Sequence, residues 1–147
     1  MSVPEGFAAM ETRSPFSNWA GPFYTRVDED HVVLGFEVAA HHCNSGGRLH
    51  GSMICGAADL AIGRNVGRAL AREGRVTDEQ FTAQGRGGAP IATVTLNTDF
   101  AGYASEGDWV EVHVDVQKAG GKLSFANAYV VAGGQRIARA SAVFTVL

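Results

Sequence analysis

The C-terminal part of the chain, from Ile91 to Leu147, alternates between apolar and polar residues with a period of two. In the run from Trp109 to Gln117, the apolar positions on one face are Val110, Val112, Val114 and Val116. This alternation indicates β-strands with one buried face. The short segments AGG (119–121) and AGGQ (132–135) separate these runs and are typical of hairpin turns. We therefore predict an antiparallel meander of four strands.

A helix is predicted between Gly51 and Ala71, where proline is absent. The apolar residues there recur at helical spacing: Met53, Ile54, Ala57, Leu60, Ala61, Val66, Ala69 and Leu70. Many of its other residues are glycine or alanine, so we expect the helix to be buried. Residues 23–27 and 32–38 read as a hairpin before it. An antiparallel sheet must cover its apolar face, and a single helix can do so. The predicted class is α+β, with the sheet wrapped around the helix.

Composition excludes several classes of protein. The 147 residues fit one domain (1–147), with residues 1–20 as a helix or coil extension whose helical segment would be PEGFAAME (4–11). A net charge of −3 argues against a nucleic-acid binder. No apolar run approaches the ~20 residues that cross a bilayer, and the N-terminus lacks the features of a signal peptide. We expect a cytoplasmic protein with no nucleic-acid or membrane partner.

The stretch HHCNSGGRLHGSMICGAADLAIG (41–63) concentrates residues that carry chemistry. A metal site is disfavoured because His41, His42, Cys43 and His50 lack the regular ligand spacing of structural zinc sites. Adjacent histidines on a strand would also point to opposite faces. A thiol nucleophile is disfavoured because neither cysteine has a signature of activation near it. We therefore predict no metal.

The third interpretation is a ligand site at the beginning of the helix. The N–H groups around His50, Gly51 and Ser52 belong to the first turn and have no partner within the helix. Together with the helix dipole, such groups attract a carbonyl oxygen that gains negative charge. Asn44 precedes the turn and can add a side-chain donor. Asp59 is a lone acid among small apolar residues, which indicates either a specific partner or a chemical role.

The string NSGGRLHGSMICGAAD (44–59) resembles the hotdog-fold acyl-CoA thioesterases of the phenylacetate-degradation type, whose pattern is N-x-x-G-x-x-H-G-G-x6-D. The resemblance spans residues 20–147 and implies a hotdog fold. It also implies that the Gly51 N–H, helped by Asn44, polarises the thioester carbonyl. Asp59 would act as general base on water or as nucleophile. Thr93 would help to hold the water.

The same resemblance assigns His50 to shaping the turn rather than to acting as a base. Ser52 departs from the pattern, because the family usually has a second glycine there. The substrate implied is an acyl-CoA, so coenzyme A is part of the substrate and no bound cofactor is implied. His50 and Ser52, at the start of the helix, are predicted to contact the substrate. Arg86 and Lys122, both beside glycine pairs, are candidates for binding its phosphates.

Alternatives remain for the charged residues. Arg64, Arg68 and Arg72 are spaced to lie on one side of the helix, where they either face solvent or bind the phosphates of coenzyme A. Asp59 could be paired with an arginine such as Arg64 instead of acting on water.

Three other functions stay open. A hotdog hydratase or dehydratase would share the architecture but normally pairs an aspartate with a catalytic histidine, and the spacing here does not fit that pattern well. An acyl-CoA-binding module would not need Asp59. An acyl-CoA-responsive transcription factor would need a basic DNA-binding helix, which is not seen.

The spacing of the site residues also predicts the assembly. Gly51 and Asp59 lie about 12 Å apart along one helix, too far for groups that act on the same carbonyl. Two antiparallel helices about a two-fold axis would bring Asp59 of one chain towards Gly51 of the other. We therefore predict a homodimer, or a dimer of dimers, with composite sites at the subunit interface.

Overall fold

A computed structural model describes residues 3–75 and 90–147. Within these residues, seven strands form one antiparallel sheet: β1 (Ala8–Ala9), β2 (Tyr24–Asp28), β3 (His31–Glu37), β4 (Ile91–Phe100), β5 (Trp109–Lys118), β6 (Leu123–Ala132) and β7 (Gln135–Val146). The helices are α1 (Pro15–Ala20) and α2 (Gly51–Arg72), with a 3-10 turn at Ala40–His42. The predicted α+β class, with the sheet around one long helix, is confirmed.

The strand order is β1-β2-β3-β5-β6-β7-β4. The predicted hairpin is the pair β2–β3, and β5, β6 and β7 form a meander. The prediction of four consecutive strands is wrong for β4, which pairs with β7 at the edge of the sheet instead of with β5. The cause is the connection 101–108, which passes the N-terminal end of α2, where the Leu49 N–H donates to the Ala104 carbonyl.

The core lies between the sheet and α2. The predicted helix is confirmed and ends at Arg72. Its buried apolar residues are Met53, Ile54, Ala57, Ala58, Ala61, Ile62, Val66, Ala69 and Leu70. Alternate residues of the strands meet them, including Leu34, Phe36, Val110, Val112 and Val130. Burial of these apolar side chains is the main force that holds the helix on the sheet.

One polar side chain, Asn65, is buried in this core. Its Oδ1 accepts from the Val32 N–H, and its Nδ2 donates to the carbonyls of Val32 and Ala61, each at 2.9 Å. The pairing of β3 with β5 begins only at Leu34. Asn65 therefore binds the backbone of Val32 where β3 is not paired with β5.

The N-terminal residues differ from the prediction. Residues 4–11 contain a turn and the short strand β1 instead of a helix. The helix of this region is α1, which begins later because Ser14 caps it: the Ser14 Oγ accepts from the Ser17 N–H at 3.2 Å, and Pro15 follows in the first turn. Proline is well suited to that position.

The arginines of α2 do not all face solvent. Arg64 is buried, with its Nε 3.1 Å from the Met10 Sδ, and burial lowers its pKa to about 10. Arg72 is exposed and pairs with Asp30 at 3.4 Å. The expectation of a solvent-facing row is therefore wrong for Arg64. None of the helices in the described residues is long and apolar enough to span a membrane.

Candidate active site

The loop that leads into α2 is organised by Asn44. The Asn44 Oδ1 accepts from the N–H groups of Gly46 (2.9 Å) and Arg48 (3.2 Å), which closes the turn. Gly47 adopts a φ of 75°, a conformation that glycine allows at little cost. The Asn44 side chain is exposed, and among the described residues its amide nitrogen has no hydrogen-bond partner. Asn44 therefore shapes the turn and still offers a donor.

His50 caps the N-terminus of α2. Its Nδ1 accepts from the Ser52 N–H at 3.0 Å and lies 2.7 Å from the Ser52 Oγ. Since Nδ1 is an acceptor, the proton of the neutral ring is on Nε2. Nothing in residues 3–75 or 90–147 accepts a hydrogen bond from the Gly51 N–H. This N–H is therefore available at the positive end of the helix dipole.

Three residues of α2 at four-residue spacing face the edge strand β4: Gly51, Cys55 and Asp59. A Cβ at Gly51 would lie 3.4 Å from the Phe100 ring, and the Cys55 Sγ is 3.5 Å from the Thr98 Oγ1. The Thr93 Oγ1 donates to the Asp59 Oδ1 at 2.6 Å. The candidate site is therefore a row along the junction between α2 and β4.

A β-bulge turns Thr93 towards the helix. On the pairing of β4 with β7, Thr93 is opposite Phe144 and Thr95 is opposite Val143, so Val94 is an extra residue. Thr98 and Phe100 face α2, and strict alternation would direct Thr93 to the other side of the sheet. A bulge re-aims side chains in this way. The contact between Thr93 and Asp59 depends on it.

Asp59 is half-buried, and its described partner is the hydroxyl of Thr93. Among the described residues it forms no ion pair, with Arg64 or with any other cation. The second carboxylate oxygen can therefore accept a hydrogen bond from a water molecule or a substrate.

The two adjacent histidines lie together. His41 and His42 belong to the 3-10 turn, and their ring centroids are 4.1 Å apart, so the expectation that they point to opposite faces is wrong. The Nε2 atoms of these rings donate to the carbonyls of Trp19 and Ala20 at the end of α1. Among the described residues, no group of three or more histidine, cysteine or acidic side chains is arranged to hold a metal ion.

Lys122, one of the two candidates for binding phosphate, is not brought to the N-terminus of α2. Lys122 lies at the start of β6, where its carbonyl accepts from the Val146 N–H. The adjacent Gly121 accepts from Arg75, just after the end of α2. That end is about 30 Å from Gly51 along the helix. Arg86 lies outside the described residues.

Two neighbours of the site, Thr98 and Phe100, were not predicted from the sequence. The feature of the sequence that could have indicated them is the alternation of β4, which places Leu96, Thr98 and Phe100 on one face. This alternation indicates a strand but not its position at the edge of the sheet, so it does not reveal that the strand lies beside α2.

The chain is similar to known proteins in sequence and in fold. Residues 46–139 match the model of the thioesterase superfamily. The chain belongs to that family. A Pseudomonas aeruginosa protein whose name marks it as an inferred esterase is 37% identical over 145 residues, covering 98% of this chain and 97% of that protein. Thioester or ester hydrolysis is therefore the general class of reaction.

Solved structures show the same fold. A mutant of the phenylacetic acid degradation protein PaaI from Thermus thermophilus has a TM-score of 0.68 and 21% identity, covering 91% of this chain and 100% of that one. A hypothetical thioesterase of Streptococcus pneumoniae, solved with coenzyme A, has a TM-score of 0.67 and 14% identity, covering 95% and 94%. The predicted hotdog fold and the predicted family are confirmed.

Proposed function

We propose that the protein hydrolyses acyl-CoA thioesters to a free acid and coenzyme A. The observation that carries the proposal is the row on α2: an unpaired N–H at Gly51 and a half-buried carboxylate at Asp59 with one hydroxyl partner among the described residues. The family supplies the class of reaction, and a structural neighbour was solved with coenzyme A. The acyl-CoA substrate rests on this neighbour and on the motif at 44–59.

In the proposed reaction, Asp59 acts as a general base. The free carboxylate oxygen takes a proton from water, and the water oxygen attacks the thioester carbon. The Gly51 N–H and the Asn44 amide stabilise the negative charge that forms on the carbonyl oxygen. Collapse of the tetrahedral intermediate breaks the C–S bond, and the departing thiolate takes up the proton. Alternatively, Asp59 attacks directly and water then hydrolyses the resulting anhydride.

Thr93 has a supporting role in this proposal. Its hydroxyl donates to Asp59 and so fixes the orientation of the carboxylate. His50 and Ser52 hold the first turn of α2 through the cap, which keeps the Gly51 N–H directed outwards. No metal and no bound cofactor takes part in the proposed reaction.

The proposed site is composite. Gly51 and Asp59 are separated by about 12 Å along α2, whereas reacting groups must approach to roughly 3 Å. In the described residues, β4 is paired on one edge only, and α2 lies beside it. We propose that two chains associate about a two-fold axis here. Asn44 and Gly51 of one chain then face Asp59 of its partner, in a dimer or a dimer of dimers.

The experiment that tests the function is a thiol-release assay on the purified protein with straight-chain, branched and aryl acyl-CoA substrates. We expect release with at least one of them, unchanged by EDTA. Asp59→Asn keeps the shape and removes the base, so turnover should fall by about 100-fold or more. Asp99→Asn, in an exposed ion pair with Arg139, is the matched control.

Three results would contradict the proposal. They are no release over the whole panel, loss of activity with EDTA, and an Asp59→Asn variant as active as Asp99→Asn. Binding of acyl-CoA without hydrolysis would favour the binding module. A hydratase is disfavoured because the Nδ1 of His50 is occupied by the helix cap, where it accepts from the Ser52 N–H.

A further inference from the structure

Helix α1 exposes its aromatic residues and buries its small ones. Ser17 and Ala20 face the protein, whereas Phe16 is 54% exposed and Trp19 is 64% exposed. An amphipathic helix normally buries the aromatic side. The two rings lie together, with centroids 6.2 Å apart. Contiguous exposed apolar surface marks sites that bind ligands, membranes or other proteins, so this pair of adjacent rings is a candidate binding surface.

Contacts at both ends hold α1 in place. Ser14 caps its N-terminus. At the other end, the carbonyls of Trp19 and Ala20 accept hydrogen bonds from the rings of His41 and His42. The Nδ1 of His42 accepts from the Ala39 N–H at 2.9 Å, so its proton lies on Nε2, which donates to Ala20. The exposed rings are therefore carried on an anchored helix.

The position of α1 places these rings beside the candidate site. The Phe16 ring covers Gly56 of α2: a Cβ at Gly56 would lie 3.3 Å from the Phe16 Cζ. Gly56 precedes Asp59 by three residues, so the two are neighbours on the helix surface, about 5–6 Å apart. At the other end, the Trp19 ring meets the His41 ring with centroids 5.5 Å apart. The aromatic pair extends from the level of Asp59 towards the loop that precedes α2.

We propose that Phe16 and Trp19 form the wall that contacts the acyl group of the substrate and selects larger apolar acyl groups over acetyl. The inference rests on the proposed function, since it places the reacting carbon beside Asp59. Gly56 is part of the arrangement because it has no side chain to keep the Phe16 ring away from α2. The wall ends one helical turn from the carboxylate, so it contacts the methylenes of the acyl chain that lie beyond the acetyl group.

The expected preference follows from burial. Each fully buried methylene contributes about fourfold to affinity, and a wall on one side of the chain buries about half of it. We expect about twofold in kcat/KM per methylene, or about 15-fold between acetyl and hexanoyl substrates. Removing one ring should reduce this dependence and leave acetyl-CoA within about twofold.

The test measures kcat/KM for acetyl-, butanoyl-, hexanoyl- and phenylacetyl-CoA in the wild type, Phe16→Ala and Trp19→Ala. Phe16→Leu, a milder change, covers the case in which Phe16→Ala does not fold. Phe125→Ala is the matched control, because Phe125 is 38% exposed on the opposite face of the sheet. Light scattering gives the mass of each particle. We expect the dependence on chain length to fall in the α1 variants and to remain in Phe125→Ala.

An unchanged dependence in folded α1 variants of unchanged mass would overturn the inference. A smaller particle in Phe16→Ala would also overturn it, since the ring would then be covered by a second copy. Calorimetry with S-methyl- and S-hexyl-CoA separates the two proposals. If no substrate is hydrolysed but S-hexyl-CoA binds more tightly than S-methyl-CoA, and this difference depends on Phe16, the aromatic wall is supported and the proposed reaction is wrong. If S-methyl-CoA and S-hexyl-CoA bind with equal affinity, the inference that Phe16 and Trp19 contact the acyl group is wrong.

Discussion

Replacing Asn65 by leucine tests whether one buried amide holds β3 on α2. The side chain makes three hydrogen bonds at 2.9 Å, two of them to the backbone of Val32. Leucine has the same number and branching of side-chain heavy atoms but neither donor nor acceptor. The N–H and the carbonyl of Val32, which is 1% exposed, would lose their partner inside the core. The third bond is less critical, because the Ala61 carbonyl also accepts within the helix.

The expected loss of stability is the difference between two terms. Each orphaned backbone group costs about 1–3 kcal/mol, which gives about 4 kcal/mol for the pair. The leucine side chain gains about 2 kcal/mol from its own burial. We therefore expect the free energy of unfolding to fall by about 2 kcal/mol. With a denaturant slope of about 2 kcal/mol per molar urea, the midpoint should fall by about 1 M.

The assay is urea unfolding followed by tryptophan fluorescence, at one protein concentration for all variants, because association shifts apparent stability. Asn127→Leu is the matched control: Asn127 is exposed on β6, and its variant should lie within about 0.5 kcal/mol of the wild type. If Asn65→Leu unfolds at the same urea concentration as Asn127→Leu, the Val32 groups do not depend on Asn65 and the reasoning is refuted.

Four further predictions concern the site and its supports. Co-expression of Asp59→Ala with Asn44→Ala should restore about a quarter of wild-type thiol release, because half of randomly paired dimers are mixed and one of the two sites in each mixed dimer is intact. Verified heterodimers without activity would exclude a composite site. Thr93→Val should lower turnover by about 10-fold or more, whereas Thr93→Ser retains the hydroxyl and most of the rate. Burial lowers the pKa of His42, so as the pH falls its side chain is protonated in the unfolded chain before it is protonated in the folded protein. Urea midpoints should therefore be constant above about pH 6.5 and decrease below it, and the decrease should be smaller in His42→Gln. Gly35→Ala should lower the melting temperature, at a cost of about 1–3 kcal/mol, because the added Cβ would clash with the Trp109 ring.

Features set by local pattern could be predicted from the sequence. The period-two runs predicted β5, β6 and β7, because alternate residues of a strand face opposite sides whatever surrounds it. The small residues between Gly51 and Arg72 predicted a buried helix for a similar reason: they allow strands to approach it closely. The N-terminus of α2 was also predictable, since a glycine-rich turn before an apolar run marks it.

Features set by distant parts of the chain could not be predicted. The place of β4 at the sheet edge depends on where the connection 101–108 crosses α2. Arg64 faces inwards because Met10 and its neighbours lie over that side of the helix, which the helical spacing of the arginines does not reveal. The motif at 44–59 pointed to Asp59, but the aromatic residues of α1 lie beside it through contacts between distant parts of the chain, including those with His41 and His42.

Because of the bulge at Val94, the directions in which Thr93 and Phe100 point depend on the number of residues between them. Because faces alternate with every residue, inserting or deleting a single residue between Thr93 and Phe100 would reverse one end of the strand relative to the other. Either Thr93 would turn away from Asp59 or Phe100 would turn away from Gly51. A change of two residues would preserve both orientations. For this stretch, the parity of a change in length decides whether both ends of β4 still face α2, and a change of one residue would turn Thr93 and Phe100 to opposite faces of the sheet.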